Sequence, residues 1–235
     1  MVIQIWDLPL RLFHWLLMLS VMFSYITGKL NGLWLDWHIY SGEFIFGLII
    51  FRILWGFWGN TYARFTNFFP TPKRLKIFIA EKWHSPGHSP IGALSVIVML
   101  VGLLGQTVLG FFSMNDEIET SGPLNSLVSS ELSEQMTNWH TSLSTTLLFF
   151  IGLHLIAIFY YIILKGEIIL KPMITGEIQI TGKMKLIPDK GGGIKLFSIT
   201  TIIAIFTVWF LESDTLHQWL RSSELNLLKK ELQDW

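Results

Sequence analysis

The chain has 235 residues, 51% of them hydrophobic and only 14% charged, with 17 basic and 17 acidic side chains that cancel. A soluble domain carries about a quarter charged residues, so this balance points to lipid, and the zero net charge argues against a nucleic-acid partner. The absence of cysteine excludes disulfides, thiolate-held iron–sulfur clusters and cysteine-attached haem, leaving His, Met, carboxylates or backbone to hold any cofactor.

Five apolar segments, near 9–27, 38–58, 90–113, 140–164 and 195–212, approach or reach the roughly 17–25 residues that cross a hydrocarbon core. The first holds Arg11 and His14 and lacks a small-residue cleavage site, which predicts a retained helix, not a signal peptide. The second begins "DWHIYSGEF" with His38 and carries Glu43 and Arg52. The connection 60–89 follows, with Arg64, Lys73, Arg74, Lys76 and Lys82 against the single acid Glu81; His84 lies in it, and His88 opens the third segment in "PGHSPIGALS". The connection 114–139 holds Asp116, Glu117, Glu119, Glu131 and Glu134 and no Lys or Arg. The fourth segment carries His140 and His154, and the connection 165–195 is again lysine-rich. Basic connections stay on the cytoplasmic side, so the N-terminus is expected inside and the C-terminus outside. "PDKGGGIKLF" at 188–197 reads as a flexible run leading into the fifth helix. The tail 213–235 spaces Leu216, Trp219, Leu220, Leu227 and Leu228 roughly helically and is expected to lie on the outer membrane surface or pack on a partner. The expected division is 1–176, a transmembrane bundle, and 177–235, a cytoplasmic connection, fifth helix and outer tail.

Intramembrane ionisable residues mark functional sites by default. His140 and His154 are fourteen residues apart, about 21 Å along a helix and only about 40° apart around it, so one face presents one imidazole near each membrane surface. The orientation puts His38 level with His140 at the outer surface, and His14 near the depth of His154. Two imidazoles at each of two depths suit six-coordinate haem, with both axial positions filled and simple electron transfer favoured. Zinc wants three or four ligands in one small sphere. The plain alternative is that interfacial histidines snorkel or cap helix ends. Gly42, Gly47 and Gly152 either let a porphyrin approach the backbone or let helices pack closely. Arg52 and Arg11 either meet haem propionates or snorkel to the inner headgroups. His88 is read as a partner for a propionate or a quinone carbonyl, or as a plain helix start. Glu43 is a candidate to take a proton or orient His38. His84 and His217 read as solvated surface residues.

The stretches "WDLPLRLFHW", "WHIYSGEFIFGLIIFRILWG", "GHSPIGALSVIVML" and "WHTSLSTTLLFFIGLHLIAIFYYIILKGEIILKPMITG" resemble the bacterial cytochrome b561 family, which includes the b-type cytochrome subunit of nickel–iron hydrogenases. The likeness covers about residues 3–176. It implies an all-α integral membrane protein: a four-helix di-haem bundle with His14 and His154 on the inner haem b and His38 and His140 on the outer, here followed by a fifth helix. It further implies a bacterial inner-membrane location and an outer loop, "NDEIETSGPL" at 115–124, that docks periplasmic redox proteins. The function expected is electron transfer between a periplasmic partner, a c-type cytochrome or a hydrogenase, and the membrane quinone pool, with quinone near Arg52, His88 and the inner haem. The alternatives are a self-contained superoxide:quinone oxidoreductase, with Lys29, Arg221, Lys229 and Lys230 as a positive funnel, and a non-redox transporter or assembly factor.

Overall fold

A computed structural model describes residues 1–80, 87–115, 120–166, 169–179, 191–213 and 216. After a short strand β1 (Val2–Gln4), helix α1 (Leu8–Leu30) starts where extended Asp7 accepts the Leu10 N–H and a proline occupies the first turn, the combination that satisfies and pre-shapes a helix N-terminus. Helix α2 (Leu35–Trp58) follows after one 3₁₀ turn. The connection expected to be loop contains α3 (Phe65–Phe68) and α4 (Pro72–Ile79), the latter capped by Thr71 and begun by proline. Ser89 caps α5 (Pro90–Phe112) through the Gly92 N–H. A two-stranded hairpin, β2 (Met114–Asn115) with β3 (Thr120–Ser121), leads to α6 (Ser130–Leu164). Helix α7 (Leu170–Thr175), strand β4 (Glu177–Gln179) and helix α8 (Ile194–Glu212) complete the described chain.

The five apolar segments are the five long helices, α1, α2, α5, α6 and α8, each long and apolar enough to cross a membrane. The fourth starts ten residues earlier than its apolar stretch. Ser129 caps it and Glu131 lies in its first turn, where a carboxylate meets the positive end of the helix. Apolar periodicity does not detect those polar turns. At 35 residues α6 is about 52 Å long against a core of about 30 Å, so its N-terminal part stands clear of hydrocarbon.

Helix α2 is the centre of the bundle, packed on α1, α5 and α8, while α6 leans on α5. In the most apolar stretch of each helix, half of α2 is buried against 6% of α6, so the rest of the bundle leaves most of α6 uncovered. Three apolar layers run along α2. Ile5, Leu10, Phe13, Phe51 and Trp55 meet Phe197 of α8 at one end; Ile45, Ile49, Leu103 and Leu147 fill the middle; Phe46, Phe111 and Leu124 close the other end. Strand β4 pairs antiparallel with β1, Ile178 opposite Ile3, which ties the segment after α7 to the N-terminus.

The glycine run before α8 is not a loose linker where it is described. Gly191, Gly192 and Gly193 all have positive φ, at 93°, 67° and 89°, a region that side chains other than glycine enter at a cost. Gly192 N–H donates to the Trp58 carbonyl at 3.1 Å, and a Cβ on Gly191 would collide with the Arg64 guanidinium and the Gly59 carbonyl. The composition suggested flexibility, but the glycines are there for close approach.

Candidate functional site

At one end of the bundle α2 presents His38 and α6 presents His140, their ring centroids 5.9 Å apart and their planes at 89°. Each ring is fixed by a backbone carbonyl from a neighbouring helix. His38 Nδ1 donates to the Ser24 carbonyl of α1 at 2.8 Å, and His140 Nδ1 donates to the Gln106 carbonyl of α5 at 2.9 Å. A neutral imidazole that donates from Nδ1 keeps the lone pair on Nε2. All four helices therefore join in presenting two Nε2 atoms. Glycines make room for both rings: a Cβ on Gly28 would lie 2.8 Å from His38 Nδ1, and one on Gly110 3.0 Å from His140 Cε1. The space beside the rings is a cavity of ≈ 350 Å³ bounded by α1, α2, α5 and α6, with Gly42, Leu147 and Ile151 in its wall. Lys29 lines it and lies over the Tyr25 ring.

At the other end His14 of α1 and His154 of α6 stand within electrostatic range of each other, both half-buried. Unlike the first pair, they share no ring contact among the described residues. Around them lie buried polar atoms with no hydrogen-bond partner: His14 Nδ1, Arg11 Nε, Arg52 Nη1 and His88 Nδ1. Arg52 is 2% exposed and its guanidinium sits 4.7 Å from the Phe65 ring and 5.7 Å from that of Phe68. Arg11 donates from Nη1 to the Ile174 carbonyl. His88 lies between Trp6, at 4.5 Å, and Phe68, at 4.7 Å. Burial pushes its imidazole down to about 3, and the neighbouring charges of Arg52 and His14 add to the effect. Most buried polar groups in folded proteins are paired, so four orphans at one end of a bundle mark a place built for a polar ligand.

Asp7 escaped the sequence reading, though an Asp before a proline-containing first turn is a helix-start signal. Besides capping α1 it accepts the Trp55 indole N–H at 3.0 Å. Burial pushes its carboxyl up, against the lowering effect of those hydrogen bonds and of Arg52. Gly28 was readable too. It lies fourteen residues after His14, hence on nearly the same face of α1 and about 21 Å further along.

The remaining candidates separate. Gly42 and Gly152 border open space, whereas a Cβ on Gly47 would meet Val208 of α8 at 3.0 Å, so Gly47 serves helix packing. Glu43 does not orient His38, whose Nδ1 belongs to Ser24; five residues round the helix, it meets Glu212 of α8. His84, His217, the acids Asp116, Glu117 and Glu119, and the tail bases Arg221, Lys229 and Lys230 lie outside the described residues.

Five apolar helices and a helical bundle with histidines at two depths define a multi-pass, all-α membrane protein. Residues 5–176 match the family model described as prokaryotic cytochrome b561, and the chain belongs to that family. Among curated proteins it is similar to a probable Ni/Fe-hydrogenase B-type cytochrome subunit of Azotobacter vinelandii, at 27% identity over 46% of this chain and 58% of the relative. A protein of the same description from Azotobacter chroococcum mcd 1 matches to the same extent. The matches thus span less than two thirds of those relatives' length. No solved structure matches significantly.

Proposed function

We propose that this protein is a di-haem b-type cytochrome of a bacterial inner membrane that passes electrons between a periplasmic redox partner and the quinone pool. The observation that carries the proposal is the His38–His140 pair. Two imidazoles that held one metal ion between them through bonds of about 2 Å would have ring centroids roughly 6 Å apart, and these rings are 5.9 Å apart. The cavity they border is lined by apolar side chains such as Ile45, Leu103 and Leu147 and by polar ones such as Lys29 and Asn115. The second haem is assigned to His14 and His154, with Arg52, Arg11 and His88 supplying donors to its propionates; their orphaned nitrogens support this.

Haem b supplies reversible one-electron chemistry at iron when bound. The chain's part is to fix the ligands. Ser24 and Gln106 hold the two outer rings in one tautomer, as outer-shell acceptors do for metal-bound histidine. His38 and His140 would hold one haem and His14 and His154 the other. Arg52 places a positive charge in a low-dielectric wall, where it attracts carboxylates strongly.

The basic connections orient the His14 end inward and the His38 end outward. The partner is then a periplasmic c-type cytochrome or a hydrogenase, the latter favoured by the description of both relatives. A self-contained superoxide:quinone oxidoreductase has Lys29 at the outer cavity in its favour, as the base that would draw an anion.

A pyridine haemochrome assay on the purified protein tests the scheme. Two haems b per chain are expected, with one lost in His140→Ala and one in His154→Ala. A full complement in both variants sinks the ligand assignment.

A further inference from the structure

A second cavity that the haem scheme leaves unused lies on the opposite face of α2. A cavity of ≈ 520 Å³ runs between α1, α2 and α8, walled by apolar side chains such as Leu16, Phe44, Ile205 and Val208. Its polar exceptions are Glu43 and Glu212, whose side chains are hydrogen-bonded to each other, together with Tyr40 and Thr201. Glu43 is 6% exposed, and Thr201 Oγ1 is buried without a partner. An acidic residue inside a membrane span is costly and calls for a function.

We propose that this cavity binds the head of a membrane quinone, with the Glu43–Glu212 pair at its oxygen; the inference rests on the electron-transfer reading above and gives its lipid-soluble partner a location. Carboxylates donate nothing, so two carboxyls in hydrogen-bond contact hold a proton between them. Such a pair offers both a donor and acceptor lone pairs. It therefore matches a quinone carbonyl, which accepts, and a quinol hydroxyl, which donates. An acyl chain fills apolar space but leaves the pair and the Thr201 hydroxyl without partners. A phospholipid headgroup brings a negative phosphate against two carboxyls. A flat apolar ring with oxygens at opposite ends and an isoprenoid tail running into lipid meets both demands.

The wall is firm on the α8 side, because Gly47 lets Val208 close onto α2 one turn beyond Glu43. The polar end sits on the same helix as His38. Around Arg52 and His88, the rings of Trp6, Phe65 and Phe68 lie against the guanidinium and the imidazole. Helix α8, which completes the cavity, lies beyond the part of the chain that matches the family.

The test is photolabelling of the full haem-loaded chain in lipid nanodiscs with an azido-ubiquinone and an azido-menaquinone, mapped by mass spectrometry. Saturable labelling is expected on peptides from α2 and α8, competed by the unmodified quinone. Two variants are read alongside. Glu43→Ala should weaken labelling about tenfold, the loss of one buried hydrogen bond. Ile205→Trp narrows the cavity from its lipid side, leaves the carboxyls in place, and should reduce labelling at unchanged haem content. Labelling confined to other helices overturns the site while leaving quinone exchange intact. Labelling of α2 and α8 that quinone does not compete means a lipid chain occupies the cavity and also overturns the proposal. No saturable labelling anywhere, with no reduction of quinone by the pre-reduced protein, removes the quinone reading itself.

Discussion

A carbonyl oxygen decides what His38 can do. Because Ser24 accepts from Nδ1, the other nitrogen is left for a metal, and Gln106 does the same for His140. Residue spacing put His140 and His154 on one face, and the charge pattern of the connections put His38 at the depth of His140. Neither showed these acceptors, because a backbone carbonyl leaves no mark in the side-chain pattern. The orphaned nitrogens of Arg11 and Arg52 were equally hidden, since burial without a partner depends on three other helices. The glycines offer a sharp check on the cavity. A Cβ at Gly42 meets nothing within 4 Å, so the protein itself tolerates a larger residue there. Gly42→Leu is expected to fold normally by circular dichroism yet lose one haem per chain; retention of both haems means that the cofactor does not pass that wall. His88 gives a pH-dependent prediction. Its folded-state value, about 3, lies below the ordinary value near 6.5. The unfolded chain therefore binds the extra proton as pH falls, and stability drops between pH 6.5 and the folded value. The slope approaches about 1.4 kcal/mol per pH unit. Thermal unfolding in detergent from pH 7 to 4.5 should show this loss in the wild type and a flatter profile in His88→Gln. Parallel profiles would mean that a propionate already holds His88 charged.

Among the elements, the long helices were legible because each is an unbroken apolar run of membrane-crossing length, and Pro and Ser/Thr/Asp signals marked several starts. Helices α3 and α4 were not, since a basic, proline-interrupted connection carries a charge pattern that reads as loop. The early turns of α6 are polar and escaped for the same reason. Helix α1 shows how a single cap ties elements together. Asp7 satisfies the Leu10 N–H and also holds the Trp55 indole of α2, so it sets both the start of α1 and its fit against the central helix. Asp7→Ala is expected to cost about 1–3 kcal/mol, one cap plus one buried hydrogen bond, seen as a lower Tm in detergent. Asp7→Asn keeps an oxygen acceptor for the cap and should recover most of the loss. Equal destabilisation by both would point to the charge facing Arg52, not the cap, as the stabilising element.

For the whole molecule the physical quantity that matters is orientation, because it decides which histidine pair meets the periplasm. The connection after α2 carries Arg64, Lys73, Arg74 and Lys76 before the single acid Glu81, whereas 114–139 has five acids and no base. Positive charge resists translocation, so the proposed orientation puts the turn between α1 and α2, at the same end as Asn115, on the outer side. The sequence provides an unusually clean background for checking this, since it contains no cysteine. Leu33 in that turn is 93% exposed, and Lys73 at the start of α4 is exposed at the opposite end. Single variants Leu33→Cys and Lys73→Cys should behave oppositely towards a membrane-impermeant maleimide. Leu33→Cys is expected to react in cells whose outer membrane alone is permeabilised, and Lys73→Cys only after the inner membrane is opened. The reverse pattern would place His14, His154 and the buried arginines on the periplasmic side. Electrons from a periplasmic donor would then arrive at the arginine-lined pair, and the Glu43–Glu212 pair would draw its protons from the cytoplasm.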